Sequence, residues 1–392
     1  MKIGVDACCW SNRRGFGRFT RELLKAMVET DRENTYVFFA DQATAEGSRF
    51  PEKVALEVVA TSAAATAAAS ASGRRSLRDM WALSRQVLRH DLDLFFFPAV
   101  YTYFPIFNRT KVVVTLHDVI ADRNPQATFP NKKLMYFWKA KQRLALFQAD
   151  RLLTVSEYSR RTICDYFSLP GNRVSVTTES ASSVFRPLLP EELRVDVLEH
   201  VCLSPGDRFM LYVGGISPHK NLGALIDAYH ILVQDPDLSD VRLILVGDYK
   251  GDSFHSDYPR LKAQIDRLGL ESRVTFAGYV PDDDLVHLYN AALLLVFPSL
   301  EEGFGLPAVE AMQCGTPVVA SDRGSLPEIL GPAGRFFDPV RPESIHEALR
   351  DVVRDEDVRA TMRQRGLERM ASFTWQEAAR KTLCVFNELG RA

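Results

Sequence analysis

Short β-branched and aromatic runs alternate with helical patterns along the whole chain. In the first half the predicted strands are 2–6, 35–40, 54–59, 94–97, 111–116, 151–155 and 173–177. In the second half they are 208–213, 241–246, 273–277, 293–297, 317–320 and 334–337. Most are continuous apolar runs, the mark of strands covered on both faces. Helical patterns lie between many of them, such as 18–29, 157–167, 221–234 and 258–268. Strand–helix alternation predicts a parallel sheet flanked by helices. It occurs twice, so the expectation is an α/β chain of two doubly wound, Rossmann-like domains.

The aperiodic, proline-marked stretch 184–192 predicts the linker. The expected domains are 1–186 and 187–372, with a terminal helix over 373–392 that packs back on the first domain. Residues 60–73 are low-complexity and read as a solvated insertion.

Composition narrows the class. A chain of 392 residues, 46% hydrophobic and 25% charged, can bury a core in each half. A net charge of -2 gives no reason to expect nucleic acid as a partner. Cys8, Cys9, Cys164, Cys202, Cys314 and Cys384 show neither C-x-x-C nor zinc spacing, and read as reduced thiols of a cytoplasmic protein. The opening Met1-Lys2-Ile3-Gly4-Val5-Asp6 reads as a strand and not as a signal peptide. The longest apolar stretch, Leu94 to Phe107, is too short for a membrane span and is broken by Pro98 and Pro105.

In open parallel sheets ligands bind beyond the carboxyl ends of strands. With two such domains the expected site is a cleft between them. The densest chemistry lies in 298–324, PSLEEGFGLPAVEAMQCGTPVVASDRG. A buried strand ends at Phe297; an acidic pair, a Gly-Phe-Gly turn and a helix starting near Pro307 follow. Gly303 and Gly305 let backbone approach a ligand, and the helix start suits phosphate. Glu302 and Glu310 bracket that start with carboxylates suited to sugar hydroxyls. In 211–222, LYVGGISPHKNL, a strand leads through Gly214-Gly215 to Lys220 at a helix start, where a point charge can meet phosphate. Gly15-Phe16-Gly17-Arg18 follows the first strand and fits either close backbone approach or a plain turn. His117-Asp118 ends a strand within the expected cleft; a structural and a catalytic histidine fit equally.

The chain resembles the group 1 (glycogen-synthase-like) retaining glycosyltransferases of the GT-B fold, over nearly its whole length. The resemblance implies that Glu302 and the Phe304 and Gly305 amides hold the donor hexose. Leu306 and Pro307 would lie by the diphosphate, and Glu310 would bind the ribose. Lys220 would neutralise the leaving diphosphate beside the Gly215 turn. Gly15 and Gly17 would face the donor from the first domain, and His117 would approach the donor sugar. The family often has an arginine where this chain has Gly215, and another where it has His219. The resemblance also implies a same-face displacement that retains configuration, with the donor in the second domain and a glycan or lipid-linked acceptor in the first. The strings GFGR and GGISPHKN look similar to bacterial mannosyltransferases of surface polysaccharide assembly, such as lipopolysaccharide. GDP-mannose is the first donor expected, and UDP-sugars come next.

Other features limit the chemistry. Asp91-Leu92-Asp93 begins a strand, at the wrong edge of the sheet for a ligand. Asp282-Asp283-Asp284 precedes a periodic helix as an N-terminal cap. Neither is a metal site, so a metal-independent reaction with no cofactor is expected. Two basic amphipathic segments fit either ordinary surface helices or a peripheral contact with anionic lipid on the inner membrane face. They are 74–90, with Arg74, Arg75, Arg78, Arg85 and Arg89, and 131–148, with Lys132, Lys133, Lys139, Lys141 and Arg143. Rival readings are a GT-B phosphorylase or epimerase, and a non-catalytic nucleotide-sugar binder.

Overall fold

The computed structural model describes residues 1–391 apart from 13–14, 67–75, 126–128, 130 and 250–255. The chain divides into two compact units: Met1–Glu179 with Trp375–Ala392, and Ser180–Thr374.

The first unit holds β1 (Lys2–Asp6), β2 (Thr35–Asp41), β3 (Ala55–Val59), β4 (Leu94–Phe97), β5 (Lys111–Thr115), β6 (Arg151–Thr154) and β7 (Val174–Val176). They form one parallel sheet in the order β3-β2-β1-β4-β5-β6-β7. The second unit holds β8 (Phe209–Val213), β9 (Arg242–Val246), β10 (Val274–Gly278), β11 (Leu294–Phe297), β12 (Val318–Ser321) and β13 (Arg335–Phe337). These pair in parallel in the order β10-β9-β8-β11-β12-β13. The two Rossmann-like α/β domains expected from the periodicity are therefore present. Central strands such as β4 and β11 are buried at every position. That explains their continuous apolar runs: parallel strands are covered by helices on both faces.

Each sheet reverses its strand order once. The reversal falls between β1 and β4 in the first unit, and between β8 and β11 in the second. Loops leaving the carboxyl ends of these strand pairs diverge, and ligands of open α/β sheets sit in the opening.

The unit boundary falls at 179/180 rather than at 186/187. The proline-marked stretch is part of the second unit. Phe185 is buried against Tyr289, and Leu188 N donates to Asn290 Oδ1 at 2.8 Å. The last helix spans Trp375–Arg391. It belongs to the first unit, where Phe386 lies 5.2 Å from Phe96 and Thr177 Oγ1 donates to Ala378 O at 3.0 Å.

Of the low-complexity stretch 60–73, residues 67–73 lie outside the described residues. In the rest Ala60, Ser62 and Ala63 are exposed, and two points tie the stretch down. Ala65 is buried with its amide on Asp41 Oδ2, and Ser62 donates from backbone and side chain to the Asp79 carboxylate.

Candidate active site

The second unit assembles its site at the β8/β11 reversal. Beyond β8 the chain turns at Gly214-Gly215, and the Tyr212 hydroxyl pins that turn by donating to Gly215 O at 2.8 Å. A short 3₁₀ turn, Pro218–Lys220, delivers Lys220, and the helix Leu222–Leu232 follows. Beyond β11, residues 298–305 carry Glu302 to the helix Leu306–Gln313. The Asn221 side chain ties the loops together, donating to Pro298 O at 3.2 Å and Pro339 O at 2.7 Å. Leu300 N adds a bond to His219 O at 2.9 Å.

Between these loops Lys220 Nζ donates to Glu302 Oε1 at 2.6 Å, with only 17% and 11% of the two side chains exposed. The ammonium also lies 5.7 Å from the centre of the Phe297 ring. The sequence singled out both residues, and the fold makes them a charge-assisted, largely desolvated pair. The pair offers a cation to a phosphate and a carboxylate to a sugar hydroxyl.

His219 supplies no second cation. Burial pushes its imidazole down to about 4, the Lys220 charge adds to this, and Glu302 opposes it. The ring is therefore neutral near pH 7.

Gly303, Phe304, Gly305 and Leu306 are buried around the helix start, and Pro307 is partly exposed. Glu310 is buried in the same helix, and its Oε2 accepts from the Tyr289 hydroxyl at 3.0 Å. Sequence reading missed Tyr289, which lies on the preceding helix, Asp282–Ala291. It also missed Gly324, which has φ +67°. A Cβ there would come within 2.7 Å of Glu302 N and 2.9 Å of Glu302 O. This glycine lets the loop after β12 pass directly against Glu302.

In the first unit His117 stands beyond β5, as expected. Its Nε2 lies 3.2 Å from Pro98 O and its Nδ1 lies 3.4 Å from Glu179 Oε1. The Phe19 ring packs edge-on against it at 4.8 Å. Asp118 Oδ1 accepts from Ile120 N at 2.9 Å, so this carboxylate serves the turn. Glu179, buried beyond β7, is the carboxylate that faces the ring. Nothing in its sequence context marks it beyond its place after a strand.

Gly15 and Gly17 are not in a loop: the helix Gly15–Thr30 begins there. A Cβ on Gly17 would meet Asn12 O at 2.1 Å, so this glycine admits the backbone of the preceding turn. A Cβ on Gly15 would meet open space.

The remaining motifs are structural. Asp93 Oδ2 accepts from Lys2 N at 2.7 Å beside the start of β4. Asp282, Asp283 and Asp284 occupy the first turn of their helix, whose cap position is Pro281 rather than an aspartate. Among the described residues no group of three or more His, Cys, Asp and Glu could hold a metal ion.

The two basic segments differ from their sequence reading. Arg74 and Arg75 lie outside the described residues. The helix Leu77–Val87 buries Met80, Leu83 and Val87 and leaves Leu77 and Trp81 exposed beside Arg78 and Arg85. Trp81 lies 5.5 Å from the exposed Phe107. On the helix Lys132–Gln148, Lys141 is not a surface cation but is buried, with Nζ on Tyr101 O at 2.7 Å. No helix among the described residues is long and apolar enough to cross a membrane.

Residues 201–369 match the family described as Glycosyl transferases group 1, and residues 13–178 match Glycosyltransferase Family 4. The O-antigen chain mannosyltransferase B of Escherichia coli is 35% identical over 279 residues, 71% of each chain. The serotype-specific mannosyltransferase WbdA of Escherichia coli is 31% identical over 71% of this chain, which spans only 34% of that longer protein. Among solved structures, sucrose-phosphate synthase from Thermosynechococcus elongatus superposes with a TM-score of 0.77 at 18% identity, covering 99% of both chains. Anabaena HepE in complex with UDP and glucose superposes with a TM-score of 0.72 at 21% identity, covering 98% of this chain and 99% of that one. These likenesses identify the fold as GT-B.

Proposed function

The chain belongs to the group 1 glycosyl transferases, and from that premise we propose that it moves mannose from GDP-mannose to a glycan or lipid-linked glycan in surface polysaccharide synthesis. The observation that carries this reading is the Lys220–Glu302 pair, set where the strand order of the second sheet reverses. The likeness to the E. coli O-antigen mannosyltransferases supports the sugar and the product class.

In this reading the second unit holds the donor. Lys220 turns from Glu302 toward the diphosphate, and Glu302 with the Phe304 and Gly305 amides takes the hexose. Leu306 and Pro307 border the diphosphate, and the Gly215 turn lies beside it. Glu310, oriented by Tyr289, takes the ribose. The bond from the anomeric carbon to the diphosphate breaks as the acceptor oxygen bonds to that carbon on the same face. The acceptor proton passes to the departing phosphate, and Lys220 stabilises the charge that develops there. His117 is the catalytic candidate of the first unit, with Gly15 and Gly17 at the start of its first helix.

The test is a thermal-shift panel of nucleotide sugars, paired with a transfer assay, all in excess EDTA. A ligand that binds only the native state raises the melting temperature. GDP-mannose is expected to give the largest shift, Glu310→Ala to lose most of it, and transfer to persist in EDTA. A larger shift with a UDP-sugar overturns the donor. Activity lost in EDTA and restored by magnesium or manganese overturns metal independence.

The proposal extends to the membrane. The exposed Leu77, Trp81 and Phe107, flanked by Arg78, Arg85 and Arg89, fit a peripheral contact with anionic lipid. Each cation near such a surface contributes about 1 kcal/mol. Co-sedimentation with phosphatidylglycerol vesicles should therefore fall as salt rises, and fall further when the three arginines become glutamate. Equal sedimentation with neutral and anionic vesicles at low salt would contradict this contact.

A further inference from the structure

We infer that Glu179 is a positioning residue for His117: it fixes the protons of the ring, so that the histidine serves transfer as a hydrogen-bond donor and not as a base. This inference rests on the glycosyl-transfer reading above, in which His117 is the catalytic candidate of the first unit.

The surroundings of the ring leave little choice of protons. Pro98 O, 3.2 Å from Nε2, is a carbonyl and can only accept, so Nε2 carries a hydrogen. On the other side Nδ1 lies 3.4 Å from Glu179 Oε1. The two side chains are 12% and 6% exposed, so little water screens the pair. A bare lone pair on Nδ1 facing a bare carboxylate oxygen would be repulsive there, and a second proton belongs between the two atoms. It sits on Nδ1, giving an ion pair, or on Oε1, giving a neutral acid beside a neutral ring. In both forms neither ring nitrogen offers a free lone pair. A histidine without one cannot take the proton of an acceptor hydroxyl. What remains to it is donation through Nε2–H, which a substrate hydroxyl can share with Pro98 O.

The place of Glu179 is itself built. β7 ends at Val176, and Thr177 N extends its ladder onto Thr154 O at 2.8 Å. The Thr177 hydroxyl donates to Ala378 O at 3.0 Å and lies 3.1 Å from Thr382 Oγ1, both on the terminal helix Trp375–Arg391. Two residues later the chain presents Glu179. Trp375, the first residue of that helix, packs against Phe19 at 6.1 Å, and Phe19 packs edge-on against the His117 ring. Thr154 Oγ1 donates to His117 O at 3.2 Å, which ties the backbone of the histidine as well. The terminal helix thus braces both the carboxylate and the phenyl ring that frame the imidazole. Among the described residues no other charged side chain pairs with His117, and Asp118 serves its own turn. A buried carboxylate without a partner is costly, and the ring is the partner this one faces.

The first test reads the ring nitrogens of the full chain by long-range proton–nitrogen NMR at neutral pH, with His117→Gln identifying the signals. In the wild type Nε2 should be protonated and Nδ1 displaced from the position of a bare, pyridine-type nitrogen. In Glu179→Leu, Nδ1 should become bare. A bare Nδ1 or an unprotonated Nε2 in the wild type overturns the inference. The second test follows GDP release from GDP-mannose with methyl α-mannoside as acceptor. Glu179→Leu should lower kcat by about tenfold or more, because the ring loses its fixed protons. The KM for GDP-mannose should stay within about threefold of wild type. Glu179→Gln, whose amide N–H can donate to Nδ1, should recover most of the lost kcat. In a His117→Ala background Glu179→Leu should cost nothing further, because it acts through the ring. Additive losses, or a Glu179→Leu variant with the kcat of wild type, overturn the positioning role. Should Glu179→Leu fail to fold, Glu179→Asp makes the same test by withdrawing the carboxylate one methylene, and should also lower kcat. A wild type that releases no GDP overturns the glycosyl-transfer reading instead, and the nitrogen signals then decide the ring's protons by themselves.

Discussion

Lys220→Ala is expected to lower kcat by about 2–4 kcal/mol of transition-state stabilisation, roughly thirtyfold to a thousandfold, with a smaller change in donor affinity. The asymmetry follows from charge. The diphosphate gains negative charge as the sugar leaves, so its cation matters most in the transition state. His219 cannot substitute, because burial keeps its imidazole neutral near pH 7. The same substitution strands the Glu302 carboxylate, whose ammonium partner lies at 2.6 Å. A part of any stability loss therefore belongs to Glu302, and the Lys220→Ala/Glu302→Gln double variant should recover that part without recovering kcat. Steady-state kinetics with varied donor separates the terms. A variant with normal kcat and only a raised KM would show that Lys220 binds donor and transition state alike.

Gly324→Ala should damage the same site without touching a charged group. The position has φ +67°, where a side chain costs roughly 1–2 kcal/mol. Its new methyl would also sit 2.7 Å from Glu302 N, so one of the two backbones must move. Ser325 N donates to Glu302 O at 3.2 Å, and the movement would strain that bond. The expected result is a melting temperature lower by several degrees and donor affinity reduced about tenfold or more. Gly206→Ala is the control. Gly206 also has positive φ, +91°, but open space around its Cβ, so it should lose stability and keep donor affinity. Full donor affinity in Gly324→Ala would mean that the β12 loop does not hold Glu302 in place.

How far the site could be read beforehand depends on the kind of signal each residue carries. Lys220 and Glu302 stand after apolar strands, beside glycine turns and helix starts, and such local grammar survives in one dimension. Tyr289 lacks it, and Glu179 and Gly324, though each follows a strand, carry nothing that names the residue they serve. Tyr289 looks like any aromatic in a periodic helix until its hydroxyl is found on Glu310. Glu179 looks like a surface acid until it is found buried at His117. Lys141 misleads the other way. It reads as one cation among five on a basic segment, yet it is buried beneath Tyr101 and Trp138.

Local periodicity alone determined the α/β class, the doubling of the domain and, among the described residues, the thirteen strands to within about a residue at most ends. The reason is that a parallel strand covered on both faces must be apolar throughout, and that requirement is written at consecutive positions. The tertiary structure decided what depends on residues distant in sequence. It ended the first unit at Glu179, returned Trp375–Arg391 to that unit, and began a helix where a glycine loop was expected. It brought Lys220 onto Glu302 across 82 positions of chain. Pairings of that kind are set by strand order and by which loops diverge at a reversal, and both emerge only when the sheet is assembled.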